Sequence, residues 1–229
     1  MKTCIAGLTL LLAAPVVADE HVTLVEQAIS NLSHDYHAEW AFTESSMEDG
    51  VTFVGRYDPR LRRDERWTLL SVDGREPTRD ETEDYRDDKE DEFRHHDDGD
   101  NEIDIVDLNT LSLIEETDDY LLFRFVPFPD DDEDEEAREF MQHVDGTIKI
   151  VRNGLYPEYI DLRNDKPIRP AFSVKISRFL TRLTFGPAAG DGPIVPLTIE
   201  VEVKGRALLV VKIDESEIVR YSDYEYVGT

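Results

Sequence analysis

Two stretches of this chain carry the residue types that could do chemistry. His95-His96-Asp97-Asp98 sets two imidazoles beside two carboxylates, a donor set that suits a transition metal. Adjacent histidines in a loop have neither the glutamate nor the one-turn spacing of a helical zinc motif, so no metal is expected. Residues 130–136 form an unbroken acidic run. A calcium loop interleaves its carboxylates with other oxygen donors and turns at a glycine; this run has neither and is expected to remain a hydrated loop, because like charges at that density repel. Cys4 is the one cysteine, the glycines fall singly at turns, and no serine sits in a nucleophile elbow. No catalytic set emerges, no cofactor is expected, and the chain reads as a non-enzyme.

What remains is an apolar inventory spread over most of the candidate strands: Trp40, Phe42, Phe53, Trp67, Leu69, Phe123, Phe125, Phe172, Val174, Ile176, Phe179, Leu197, Ile199 and Val201. One sheet with few helices cannot cover both of its faces, so the apolar face must meet itself, a helix or a ligand. Singly, each residue is ordinary core. Together they are the candidate lining of an apolar pocket on the concave side of a curved sheet.

The elements that must position them begin after a leader. Lys2, an apolar core over 5–14 and Val16-Val-Ala18 have the form of a signal peptide cleaved after Ala18. That core is shorter than the roughly 20 apolar residues needed to cross a bilayer. A periplasmic protein without a stable membrane anchor is expected, with signal peptide 1–18 and a single domain over 19–229. The formal net charge of −27, from 52 acidic and 25 basic residues, argues against nucleic acid and anionic membrane surfaces as partners. It reads as an acid-rich surface suited to salt, where self-repulsion is screened. A monomer is expected.

Apolar residues at helical spacing predict a helix over 22–32, with Thr23 and Glu26 as a capping box. Alternation predicts strands over 36–44, 51–57 and 66–72, with a turn at 45–50 and another at Asp73-Gly74. A second capping box, Thr78 and Glu81, opens a highly charged helix whose only apolar residues are Tyr85 and Phe93, within an excursion over 78–100. It has too few apolar residues to bury a stripe, so it is expected to be a solvated helix or a mobile excursion. Residues 103–108 read as short and irregular. Hairpins follow over 111–116 with 120–126, and over 147–152 with 156–162 about Asn153-Gly154. Residues 166–170 read as a linker. Long strands then run over 171–185 and 193–203, with a turn at Gly205, a strand over 206–213 and a last one over 218–227.

Within 171–185, Phe172, Val174 and Ile176 share one parity, while Phe179, Leu183 and Phe185 take the other. A β-bulge near Ser177-Arg178 would keep both sets on one side. No such slip is expected over 193–203. The fold class is α+β and mostly antiparallel β: a curved, unclosed half-barrel with an N-terminal helix and a second, charged helix as lid.

An amphipathic helix and aromatic strand over 24–42, then Val54-Gly-Arg-Tyr-Asp-Pro59 and Arg66-Trp-Thr-Leu-Leu-Ser-Val-Asp-Gly-Arg-Glu-Pro-Thr78, then a terminal run of strands, resemble an uncharacterised proteobacterial periplasmic group. That group is similar to the outer-membrane lipoprotein-sorting carriers, the LolA/LolB-like superfamily. The resemblance implies a half-barrel lidded by helices that holds lipid acyl chains. This chain departs from it in the charged 78–100 insertion and the acidic surface. It also lacks the mature N-terminal cysteine of a membrane-anchored receptor. The expected function is to hold a lipid or the acyl chain of a lipoprotein. The alternative is a structural or interaction protein with a packed cavity and an acidic partner-binding surface.

Overall fold

A computed structural model describes residues 15–33, 36–48, 50–96, 105–128, 135–171, 173–190, 192–208 and 211–228. In chain order these form α1 (Pro15–Ser30), α2 (Tyr36–Glu39), β1 (Trp40–Glu48), β2 (Val51–Tyr57), β3 (Trp67–Val72), α3 (Arg79–His96), β4 (Ser112–Glu116) and β5 (Tyr120–Phe125). They continue with α4 (Glu135–Met141), β6 (Asp145–Val151), β7 (Tyr156–Arg163), β8 (Ile168–Ala171), β9 (Val174–Pro187), β10 (Ile194–Ala207) and β11 (Val211–Tyr226).

The strands make one antiparallel sheet in the order β3-β2-β1-β11-β10-β9-β7-β6-β5-β4, with β8 pairing β9 off this path. Its two end strands, β3 and β4, do not pair with each other, so the curved sheet is unclosed. The last strand lies beside the first: β11 pairs β1 from Trp40↔Tyr226 to Glu48↔Glu217. The Asp73-Gly74 turn has the chemistry its residues predict. Asp73 (φ 51) and Gly74 (φ 74) both take left-handed conformations and close a two-residue hairpin, Val72↔Arg75. The β6–β7 hairpin instead turns through 152–155, where Gly154 (φ 90) and Leu155 (φ 47), not Asn153, are the left-handed residues.

The apolar residues gather in two clusters. An aliphatic one joins Val25, Ala28 and Leu32 of the α1 segment to Leu121, Phe123, Phe125, Ile148, Ile150 and Ile160 of β5–β7 and to Ile176, Leu183 and Phe185 of β9. An aromatic one joins Trp40, Phe42, Tyr57, Trp67, Leu69 and Tyr85, with Val72, Val195 and Tyr224.

The bulge in β9 is present. Lys204 pairs Arg178 and Gly205 pairs Ile176, so Ser177 is the extra residue, and its hydroxyl donates to the Lys204 carbonyl at 3.0 Å. Val174 and Ile176 on one side of it and Phe179, Leu183 and Phe185 on the other all face the aliphatic cluster.

Several expectations are corrected. The strand β10 is not free of slips: Pro196 pairs Phe185 and Thr198 pairs Thr184, which leaves Leu197 as a bulge residue. Its side chain sits over Gly186, where a Cβ would stand 2.7 Å from Leu197 Cδ1. Gly205 is not a turn, because β10 runs through it to Ala207, and residues 211–213 and 218–226 belong to the single strand β11. Residues 36–39 are a short helix rather than strand, and 45–48 continue β1 rather than turning. The helix α1 is already under way at Thr23, so Thr23 and Glu26 do not cap it. Residues 168–170, expected as linker, belong to β8, and the acidic run ends in α4. Cys4 and residues 1–14, Asp97, Asp98, 130–134 and Phe172 lie outside the described residues.

Candidate functional site

The alternation of β10 builds the site. Its residues Ile199, Val201 and Val203 are half-buried on the concave face, while Thr198, Glu200, Glu202 and Lys204 face the other way. On the neighbouring strand, Val219 stands opposite Ile199 and Glu217 opposite Val201. Tyr221 stands opposite Glu44 of β1. The α1 segment packs its apolar stripe on the aliphatic side, and α3 lies against β3 on the aromatic side. Beside α3 a cleft of about 240 Å³ remains, lined by Glu44, Lys89, Ile199, Val201, Glu217, Val219 and Tyr221.

Helix α3 is held over the sheet by two residues one turn apart. Tyr85 is buried against Trp67, with ring centroids 6.2 Å apart in an edge-on arrangement. Its hydroxyl rests on Gly55, where a Cβ would stand 2.1 Å from Oη, so only glycine admits the ring there. One turn on, Lys89 Nζ lies 2.9 Å from Glu44 Oε1 and 3.0 Å from Oε2. The Tyr85 hydroxyl lies 3.5 Å from Glu44 Oε1. The Glu44 side chain is 3% exposed and that of Lys89 13%. The ammonium also stands 4.9 Å from the Trp67 ring centroid, a cation–π distance. The cleft therefore has an apolar floor and, at one wall, a largely buried ion pair.

The capping box that starts α3 is formed as the sequence predicts. The Thr78 N–H donates to Glu81 Oε2 at 2.8 Å, and the Glu81 N–H donates to Thr78 Oγ1 at 3.3 Å. Arg75 Nη1 donates to the same carboxylate at 2.9 Å. That guanidinium first, and then the two Thr78 donors, hold the Glu81 carboxyl down at about 2. Burial pushes the Tyr224 phenol up, and its hydroxyl donates to the Pro196 carbonyl at 2.6 Å.

The candidate residues read from the sequence divide three ways. Trp40, Phe42, Trp67 and Leu69 are buried in the aromatic cluster, with Phe53 and Leu197 packed against it. Phe123, Phe125 and Ile176 are buried in the aliphatic cluster, with Val174, Phe179 and Ile199 against it. Ile199 and Val201 line the cleft. The lining residues that sequence reasoning passed over are Glu44, Lys89, Glu217, Val219 and Tyr221. Two of them left a signal. Glu44 shares the parity of Trp40 and Phe42, so it is a charge on a buried face. Lys89 is the one lysine within 79–96 and follows Tyr85 by four residues, on the same helix face. Among the described residues no cluster of three or more histidine, cysteine or carboxylate side chains is placed to hold a metal. No helix there is long and apolar enough to cross a membrane.

Comparison with protein-family models, with curated proteins and with solved structures found no match to this chain.

Proposed function

We propose that this chain is an exported, non-enzymatic binding protein of the LolA-like half-barrel kind. It holds an apolar group, a lipid or the acyl chain of a lipoprotein, on its concave face, with α1 and α3 as the two parts of a lid. Export to the periplasm follows from a signal peptide cleaved after Ala18, and the mature domain works as a monomer. The observation that carries this reading is the cleft beside α3, floored by Ile199, Val201, Val219 and Tyr221. The same inner face continues through Val203, Ile213 and Val174 toward the β10–β11 turn. At about 240 Å³ the cleft is smaller than the roughly 300–1,000 Å³ usual for whole small-molecule ligands. It suits one acyl segment, with the rest of the ligand lying along that inner face.

A second reading, an interaction protein with a filled interior, draws on the complete burial of Phe42, Phe123 and Phe125. Native mass spectrometry of protein purified from its own host, with titration of a fluorescent fatty acid, separates the two. Carrier function predicts a co-purified lipid mass and saturable binding, weakened roughly tenfold or more by Val201→Trp, which occupies the site. No adduct and no saturable binding would leave the filled-interior reading standing.

A further inference from the structure

We propose that the end of the β10–β11 hairpin is a docking site for an anionic lipid surface, where Leu208 and Val211 enter the headgroup boundary and the rung Lys175–Arg206–Lys212 faces the phosphates. The net charge of −27 conceals a segregation that the strand register lays open. Arg206 stands opposite Lys212 on β11 and opposite Lys175 on β9, so three cations share one rung of the convex face. All three are exposed, and Lys175 and Arg206 enter no salt bridge among the described residues. One rung inward, Lys204 stands opposite Arg178 and Asp214, and the third rung is Leu180–Glu202–Ser216. The outermost three rungs of this face thus hold five cations and two carboxylates, a net +3, in a chain with 25 basic and 52 acidic residues. Arg182, further back, is taken up by Asp161 through two hydrogen bonds of 2.6 Å.

Two features of this end are hard to explain by folding alone. Like charges directly opposite each other in a sheet are destabilising, and this rung has three in a row. Leu208 takes a left-handed conformation (φ 51), where glycine or asparagine is the usual residue. It is 67% exposed, and Val211 is 52% exposed. Exposed apolar side chains at a tip flanked by cations match the chemistry of an interfacial membrane contact. A nucleic acid or a soluble polyanion would use the cations and leave the apolar tip unused.

The acidic body does not oppose this docking. Successive rungs of one face lie two residues, about 6.6 Å, apart, so the three rungs span about 13 Å, more than the Debye length of about 8 Å at physiological salt. A bilayer that meets the tip is governed by the local positive charge, and the remoter carboxylates are screened. The inference does not depend on what the cleft holds.

The test is sedimentation of the full chain with mixed phosphatidylcholine–phosphatidylglycerol vesicles and with pure phosphatidylcholine vesicles. Wild type is expected to prefer the anionic vesicles and to lose that preference as salt rises. Lys175→Gln/Arg206→Gln/Lys212→Gln is expected to lose binding by on the order of a hundredfold, at about fivefold per cation. Leu208→Ser/Val211→Ser is expected to lose roughly tenfold while keeping the salt dependence. Equal binding to both vesicle types, variants that bind as wild type, capture by soluble polyphosphate without vesicle binding, or self-association in place of vesicle binding would each overturn the proposal. All substituted side chains are exposed apart from the salt bridge of Lys212 to Asp214. Matching thermal transitions show that the fold is kept, and the wild-type comparison of the two vesicle types stands without any variant.

Discussion

The two long helices meet the same sheet in opposite ways. The α1 segment buries an apolar stripe, Val25, Ala28 and Leu32, into the aliphatic cluster. Its end is tied down further by Asn31, whose amide donates to the Leu155 carbonyl at 2.7 Å, and by Ser33, whose N–H donates to the Ile194 carbonyl at 2.8 Å. Helix α3 is almost wholly charged, and among the described residues it is held by Tyr85 over Gly55, by the ion pairs of Lys89 with Glu44 and of Glu81 with Arg75, and by its capping box. Apolar burial ties α1 to the cooperative core, whereas a few polar contacts leave α3 to open on its own at less cost. In the proposed carrier, the helix that parts from the concave face to admit a ligand would be better built in the second way.

The largest expected effect lies on the aliphatic side. Phe123 is about as buried as a side chain can be, at 1%, and Phe123→Ala should lower global stability by about 3–5 kcal/mol through lost burial and a residual cavity. Urea denaturation should show it, with hydrogen exchange in α1 and β5–β7 rising together. If α1 exchanged independently of β5–β7, the contrast between the helices would fail.

On the aromatic side the corresponding break is Lys89→Ala. It leaves the Glu44 carboxylate in the wall of the cleft without its ammonium, a loss of about 3 kcal/mol for a buried pair. Lifting α3 rehydrates that carboxylate, so the cost is capped at the free energy of opening. The expected readout is faster hydrogen exchange over 79–90 with little change in the global urea midpoint. Glu44→Leu/Lys89→Met should restore slow exchange, because a buried ion pair replaced by apolar groups is often neutral or better. An equal fall in global stability would mean that α3 is part of the core.

This contrast was half legible in the sequence. The α1 stripe repeats at helical spacing, so its attachment could be read directly. The β9 bulge was legible for a similar reason: a change of parity between Ile176 and Phe179 has few structural solutions. The bulge at Leu197 left no such mark, because Leu197, Ile199, Val201 and Val203 keep one alternating phase across it. The continuity of β11 was hidden by its exposed middle, 214–217, where polar residues on both faces imitate a loop. The docking of α3 depends on Tyr85 and Lys89 meeting Gly55 and Glu44 from distant segments. No periodicity reports a contact between residues 30 or more positions apart, so the charged helix read as solvated.

The smallest effect isolates the cap of α3. The Glu81 carboxyl lies at about 2 in the folded chain against an ordinary 4.5, held down chiefly by Arg75. A depressed carboxyl contributes stability that is fully present above its unfolded value and is lost as pH falls through the folded one. The advantage of wild type over Glu81→Gln should therefore be complete above about pH 4.5 and vanish toward pH 2, as read by hydrogen exchange over 79–90. Comparison with the variant is needed because protonating the other carboxylates of α3 relieves repulsion within the helix over the same range. In α1, which has no contact with this carboxylate, the two proteins should exchange alike at every pH. A wild-type advantage that persisted unchanged at pH 2, or one that appeared in α1 as well, would show that the cap does not act locally on the charged helix.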